Sequence, residues 1–161
     1  MLFPAPFLNQ AAEIIKTYAA QKKQLALAES CTGGLIAAVL TEIPGSSAVV
    51  ERGYVCYANQ AKMDDLHVAP GILEKHGAVS AEAAEALIQG LFKNSSAPIA
   101  LSVTGIAGPT GGSAAKPVGL VFLALAKRGD AVMVERHVFK GGRQEIRLAA
   151  LQRALELLLS V

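Results

Sequence analysis

Two short apolar runs, LALAE at 25–29 and PIALSVTG at 98–105, each break off into a polar, glycine-rich loop. Apolar runs of this length, bounded by turn residues, read as strands buried on both faces. A sheet made of such strands needs helices above and below it, which restricts the chain to a layered α/β arrangement.

The rest of the pattern supplies those helices. Residues 8–24 have helical spacing, with Ala12, Ile15, Tyr18 and Ala19 on one face. Helices are also expected over 32–43 (closed by Pro44-Gly45), 59–68, 70–77 with Gly77 as C-cap, 80–93 with Ser80 as N-cap, and 143–161. VVERGYVCY (49–57) reads as a strand with imperfect alternation. Residues 118–139 read as a hairpin turning at Arg128-Gly129-Asp130. Helices separate the first strands and a hairpin comes late. The expected fold is therefore a three-layer α/β/α sandwich on a mixed sheet of about five strands, one domain over 1–161.

Composition narrows the function classes. Hydrophobic residues make up 52% of the 161 and charged residues 17%, so a packed core is expected rather than disorder. With no Trp, that core must be aliphatic. A formal charge of +2, with no basic run longer than KK at 22–23, gives no case for nucleic acid. The longest apolar stretch, VGLVFLALA (118–126), is about half of a membrane span. MLFPAPFLNQ lacks the basic start of an export signal. Cys31 and Cys56 fit no CxxC or zinc spacing and read as free thiols in the cytoplasm. The three histidines share no pattern, read as structural or solvated, and assemble no Ser-His-Asp triad, and no metal-ligand spacing is present.

In open α/β sheets ligands collect where strand ends open into loops. AESCTGG (28–34) puts Ser30, Cys31 and Thr32 there, at the expected start of a helix whose free N–H groups favour negative charge. A plain N-cap explains Ser30 or Thr32 equally well. The functional reading is a nucleophile beside an oxyanion or phosphate site. Cys31 competes with Ser30, because a thiol at a helix N-terminus has a lowered pKa.

TGIAGPTGG (104–112) follows the second buried strand and is neither a Walker A loop nor a GxGxxG fingerprint. It reads as a flexible connection or as an amide nest for an anion. Tyr57, Asn59 and Lys62 follow the strand at 49–57. Lys62 reads as a solvated lysine or as a general base lowered by burial. Arg143, after Gly141-Gly142, reads as a surface charge or as a partner for an acidic substrate group.

Five stretches in series resemble the CinA C-terminal domain family: AESCTGG (28–34), YAN (57–59) with Lys62, HGAVSAEAAE (76–85), SVTGIAGPTGG with KPVG (102–119), and FKGGR with IR (139–147). Two positions depart from the family's habit, Ala58 where Ser is frequent and His67 where Gly is frequent.

The resemblance implies an α/β/α fold. It also implies metal-free hydrolysis of the carboxamide of nicotinamide mononucleotide (NMN), giving nicotinate mononucleotide and ammonia, in a cytoplasmic enzyme of pyridine nucleotide recycling. Carried onto this sequence, it makes Ser30 the nucleophile, Lys62 the base and Tyr57 an aid to proton transfer. Substrate contacts fall to Cys31, Thr32, Gly33, Gly34, Asn59, Thr104, Gly105, Gly108, Gly111, Gly112 and Arg143. No cofactor, nucleic acid or membrane partner is implied, and self-association into a homo-oligomer stays open. The alternative is a non-catalytic nucleotide-binding or protein-interaction module of the same fold.

Overall fold

The computed structural model describes residues 2–161. Its elements run α1 (Ala5–Ala20), β1 (Leu25–Glu29), α2 (Leu35–Thr41), a 3-10 turn at Ser46–Ala48, β2 (Val50–Val55), α3 (Asn59–Leu66), α4 (Pro70–His76), α5 (Ala81–Asn94), β3 (Ile99–Gly105), β4 (Leu120–Lys127), β5 (Met133–Val138) and α6 (Arg143–Leu159). The five strands form one mixed sheet in the order β2-β1-β3-β4-β5. β1 lies parallel to both β2 and β3, while β4 and β5 are antiparallel additions.

The period of two along the inner strands divides the molecule into two cores. Leu25, Leu27, Leu101, Val103, Leu123 and Leu125 point to one face, where they meet Ile14, Ile36, Leu151 and Leu155 of α1, α2 and α6. Ala26, Ala28, Ala100, Ala124 and Ala126 point to the other face, against Leu87, Ile88 and Leu91 of α5. The large aliphatic side chains thus fill one side, while alanines let α5 lie close on the other. Ser102 falls in the alanine row, and its hydroxyl donates to the Ala84 carbonyl at 2.7 Å.

α5 begins at an Asn/Ser-type cap as expected, the Ala83 N–H donating to Ser80 Oγ at 3.1 Å. Gly77 ends α4 at φ +79. On α5, Gly90 meets α3, and a Cβ there would stand 2.0 Å from the Leu66 carbonyl oxygen.

Several expectations are corrected. α1 starts at Ala5, because Pro6 sits in the first turn, where a missing N–H costs nothing. Its buried stripe is Ala11, Ile14, Ile15 and Tyr18, whereas Ala12 and Ala19 are exposed. The strand at 49–57 shortens to Val50–Val55, and the helix at 32–43 shortens to Leu35–Thr41. No helix among the described residues is long and apolar enough to cross a membrane.

Candidate active site

The three parallel strands end on one edge of the sheet, at Glu29, Val55 and Gly105. A cleft of ≈ 190 Å³ opens there. Ser30, the first residue after β1, is anchored by its N–H to the Val103 carbonyl at 3.1 Å and is 8% exposed. Lys62 arrives from α3, which begins four residues after β2 ends. Its Nζ donates to Ser30 Oγ at 3.2 Å, to the Cys56 carbonyl at 2.7 Å and to the Tyr57 carbonyl at 3.2 Å. The side chain is 1% exposed, and burial lowers its pKa, opposed by nearby Cys56 and Cys31. A lysine in this state gives up its proton more readily than one in water, and of its three hydrogen-bond partners the Ser30 hydroxyl is the one side-chain group.

Tyr57, Asn59, Thr104, Gly105 and Arg143 also line the cleft. Arg143 donates to the Gly108 carbonyl and to the Tyr57 hydroxyl, each at 2.8 Å. It thereby ties the glycine loop to the exposed ring of Tyr57. Thr104 Oγ1 donates to the Ala78 carbonyl at 2.8 Å. Among the described residues no carboxylate lines the cleft, so Lys62 and Arg143 make it a site for anionic or electron-rich groups. No three His, Cys, Asp or Glu side chains among them cluster as metal ligands. A larger depression of ≈ 510 Å³ lies among α3, α4 and α5, lined by Leu66, Ile72 and Ala86, and shares no lining residue with the Ser30–Lys62 cleft.

The turn after Ser30 differs from the sequence expectation. α2 starts only at Leu35, and its first N–H groups are already taken. The Glu29 carboxylate, 2% exposed, accepts from Gly34 at 3.0 Å, Ile36 at 3.1 Å and Ala37 at 2.8 Å. Gly33 N–H donates to the Ser30 carbonyl at 3.0 Å. Of the N–H groups from Cys31 to Gly33, those of Cys31 and Thr32 have no carbonyl or carboxylate acceptor in this network, although the Cys31 N–H also faces its own thiol.

Cys31 packs into the aliphatic core, with its Sγ 3.1 Å from where a Cβ on Gly105 would stand. Burial pushes its thiol up to about 11, although the neighbouring Arg147 and Lys62 pull the other way. The lowered pKa expected for a thiol at a helix N-terminus is therefore reversed. Thr32 is fully buried, with its hydroxyl unpartnered. Gly111 and Gly112 lie on the exposed tip of their loop, outside the cleft lining. Gly33 is likewise exposed.

Two residues at the site, both inside motifs quoted above, have a role that the sequence does not assign. Glu29 caps a helix from five residues upstream of its N-cap, and no local rule covers that distance. Arg147 donates to the Cys31 carbonyl at 3.1 Å and to the Thr32 carbonyl at 2.9 Å. A signal for it existed, since Arg143 and Arg147 are four apart and so share one face of α6.

A mixed α/β sheet sandwiched by helices, with a buried serine–lysine pair at the ends of its parallel strands, defines the class of protein. Within that class, the chain belongs to the CinA C-terminal domain family, whose match covers residues 8–161. It is 52% identical over 136 residues to a CinA-like protein of Geobacter sp. (strain M21), covering 84% of this chain and 33% of that one. A CinA-like protein of Syntrophotalea carbinolica is 50% identical over 132 residues, covering 82% and 32%. The chain thus spans about a third of the length of these curated relatives. Among solved structures it resembles the competence/damage inducible protein CihA from Agrobacterium tumefaciens, with a TM-score of 0.96, 48% identity and 99% and 98% of the two chains covered. The competence damage-inducible protein A of Klebsiella pneumoniae matches with a TM-score of 0.90, 33% identity and 94% of each chain. His67, where the family often has Gly, ends α3 at φ +57, a left-handed position that glycine occupies without strain.

Proposed function

We propose that this protein is an amidohydrolase that converts NMN to nicotinate mononucleotide and ammonia. The observation that carries the reading is the Ser30–Lys62 contact of 3.2 Å, with Lys62 buried and lowered in pKa and no carboxylate in the cleft. In this reading neutral Lys62 takes the Ser30 proton as Oγ attacks the carboxamide carbon. The Cys31 and Thr32 N–H groups hydrogen-bond the oxyanion. Lys62 returns the proton to the departing nitrogen, which leaves as ammonia, and Ser30 holds an acyl ester. Water, deprotonated by the same lysine, then releases the nicotinate carboxylate and restores the serine. The Tyr57 hydroxyl, held by Arg143, assists proton transfer at the mouth.

At ≈ 190 Å³ the cleft is smaller than the ~300–1,000 Å³ of typical small-molecule sites. It suits the nicotinamide head alone, leaving ribose and phosphate to the rim, where Arg143 offers a guanidinium and Ala107 and Gly108 offer backbone amides. Cytoplasmic pyridine nucleotide recycling would be the setting of such a reaction. Ammonia release from NMN, with and without EDTA, tests the reading. Turnover unaffected by EDTA is expected. No ammonia between pH ~6 and ~9, the range suited to a tuned base, would instead favour a non-catalytic binding module.

A further inference from the structure

The turn that carries Ser30 is held from outside the cleft by a side chain that the proposed chemistry does not use. Arg147 lies near the start of α6, half-buried. Its Nε and Nη2 donate to the carbonyls of Cys31 and Thr32, the two residues that follow Ser30. A planar fork that engages two successive carbonyls fixes two peptide planes together.

Because the peptide unit is planar and trans, its N–H points opposite to its C=O. Anchoring the Cys31 carbonyl therefore sets the direction of the Thr32 N–H, one of the two amides left uncommitted in this turn. The far end of the turn is pinned separately by the Glu29 carboxylate. Between the two clamps stand Gly33 at φ +61 and Gly34 at φ +93, residues that by themselves hold the backbone weakly. The guanidinium also closes over the turn, with Nη2 3.3 Å from where a Gly33 Cβ would stand.

We propose that Arg147 is a positioning residue. It holds the Cys31–Thr32 peptide so that the Thr32 N–H is aimed at the acyl oxygen during attack by Ser30. This rests on the reading of Ser30 as the acyl acceptor. It assigns Arg147 a role distinct from that of Arg143, whose bonds run to Tyr57 and Gly108.

The test compares wild type, Arg147→Ala and Arg147→Lys on NMN and on nicotinamide riboside, which lacks the phosphate. In Arg147→Ala we expect kcat to fall about 100-fold on both substrates, as for a misaimed catalytic donor, with KM within about twofold. The midpoint of the pH profile should not move, and millimolar guanidinium ion should restore part of kcat. Arg147→Lys, which keeps the charge but not the fork, should lose about tenfold and gain nothing from guanidinium. A loss confined to NMN would make Arg147 a phosphate ligand, and unchanged kcat would make it structural; either overturns the proposal.

Labelling by diisopropyl fluorophosphate, read by intact mass, separates this proposal from the substrate reading and also serves if Arg147→Ala folds poorly. Wild type that labels at Ser30 but leaves NMN intact would sink the substrate alone, and slower labelling of Arg147→Lys would still support positioning. Equal labelling of wild type and Arg147→Lys would sink the positioning role alone. Wild type that neither labels nor turns over would overturn both.

Discussion

Lys62 Nζ donates to Ser30 Oγ at 3.2 Å, joining the end of β1 to the helix that follows β2. Glu29 and Arg147 hold the serine's turn, whereas the lysine is held by the Cys56 and Tyr57 carbonyls. The pair is thus assembled from separately anchored pieces of backbone.

The first prediction concerns protonation. Burial lowers the Lys62 pKa below the ordinary 10.5, so the base form gains population as pH rises through that lowered value. kcat/KM for NMN should rise with pH along an acid limb whose midpoint lies below 10.5. Stability should follow the same sign. Between the lowered folded pKa and the unfolded one, the unfolded chain binds more protons, so the wild type gains stability relative to Lys62→Met as pH rises. Thermal unfolding of both proteins from pH 7 to 10 measures this, and a gap that moves the other way would contradict it.

Glu29→Ala should destabilise the fold. It strips a buried acceptor from the N–H groups of Gly34, Ile36 and Ala37. Charge-assisted bonds of this kind suggest a loss of about 3 kcal/mol, or roughly 6–12 °C in Tm for a chain of this size. Glu29→Gln should lose about half of that. An unchanged Tm for the alanine variant would show that the cap is dispensable.

Gly90→Ala is a substitution that helix propensity favours by about 1 kcal/mol. Here the added Cβ meets the Leu66 carbonyl oxygen at 2.0 Å, and backbone cannot step aside as a side chain can. A net loss of about 2 kcal/mol is expected, with a fall in activity, because α3 carries Lys62. A stabilised, fully active variant would mean that α3 is not seated as described.

Arg143→Ala should weaken NMN by about 10- to 100-fold through the loss of a charge-assisted contact, and nicotinamide riboside by clearly less, since it loses only the hold on Tyr57. Equal losses on both substrates, measured as kcat/KM, would make Arg143 a structural tie between Tyr57 and Gly108.

The inner strands were legible because an uninterrupted apolar run has few alternatives: LALAE became β1 and PIALSVTG became β3, each with its loop at the active edge. The apolar spacing places the start of α1 at residue 8, three residues late, because the first turn carries Pro6, a residue that marks a helix start rather than its periodicity. The buried stripe of α1 was read one residue out of phase at Ala12, and small alanines do little to define phase. At the site, Ser30 and Lys62 stand out as motif residues, but their contact spans 32 positions and has no local signature. The glycines of 104–112 looked equivalent in sequence. Only the fold separates Gly105, which lines the cleft, and Gly108, whose carbonyl binds Arg143, from Gly111 and Gly112 on the exposed tip.

The most direct test of the central claim is the rate of ammonia release from NMN by Ser30→Ala set beside Cys31→Ala. Cys31 is buried in the core with its thiol pushed up to about 11, so its loss should leave substantial turnover. Ser30→Ala should be inactive while still folded and still able to bind nicotinate mononucleotide. A dead Cys31→Ala together with NMN-protected inactivation by iodoacetamide would make the thiol the attacker. Near-normal kcat in Ser30→Ala would contradict the acyl-enzyme account and leave a water activated by Lys62 in its place.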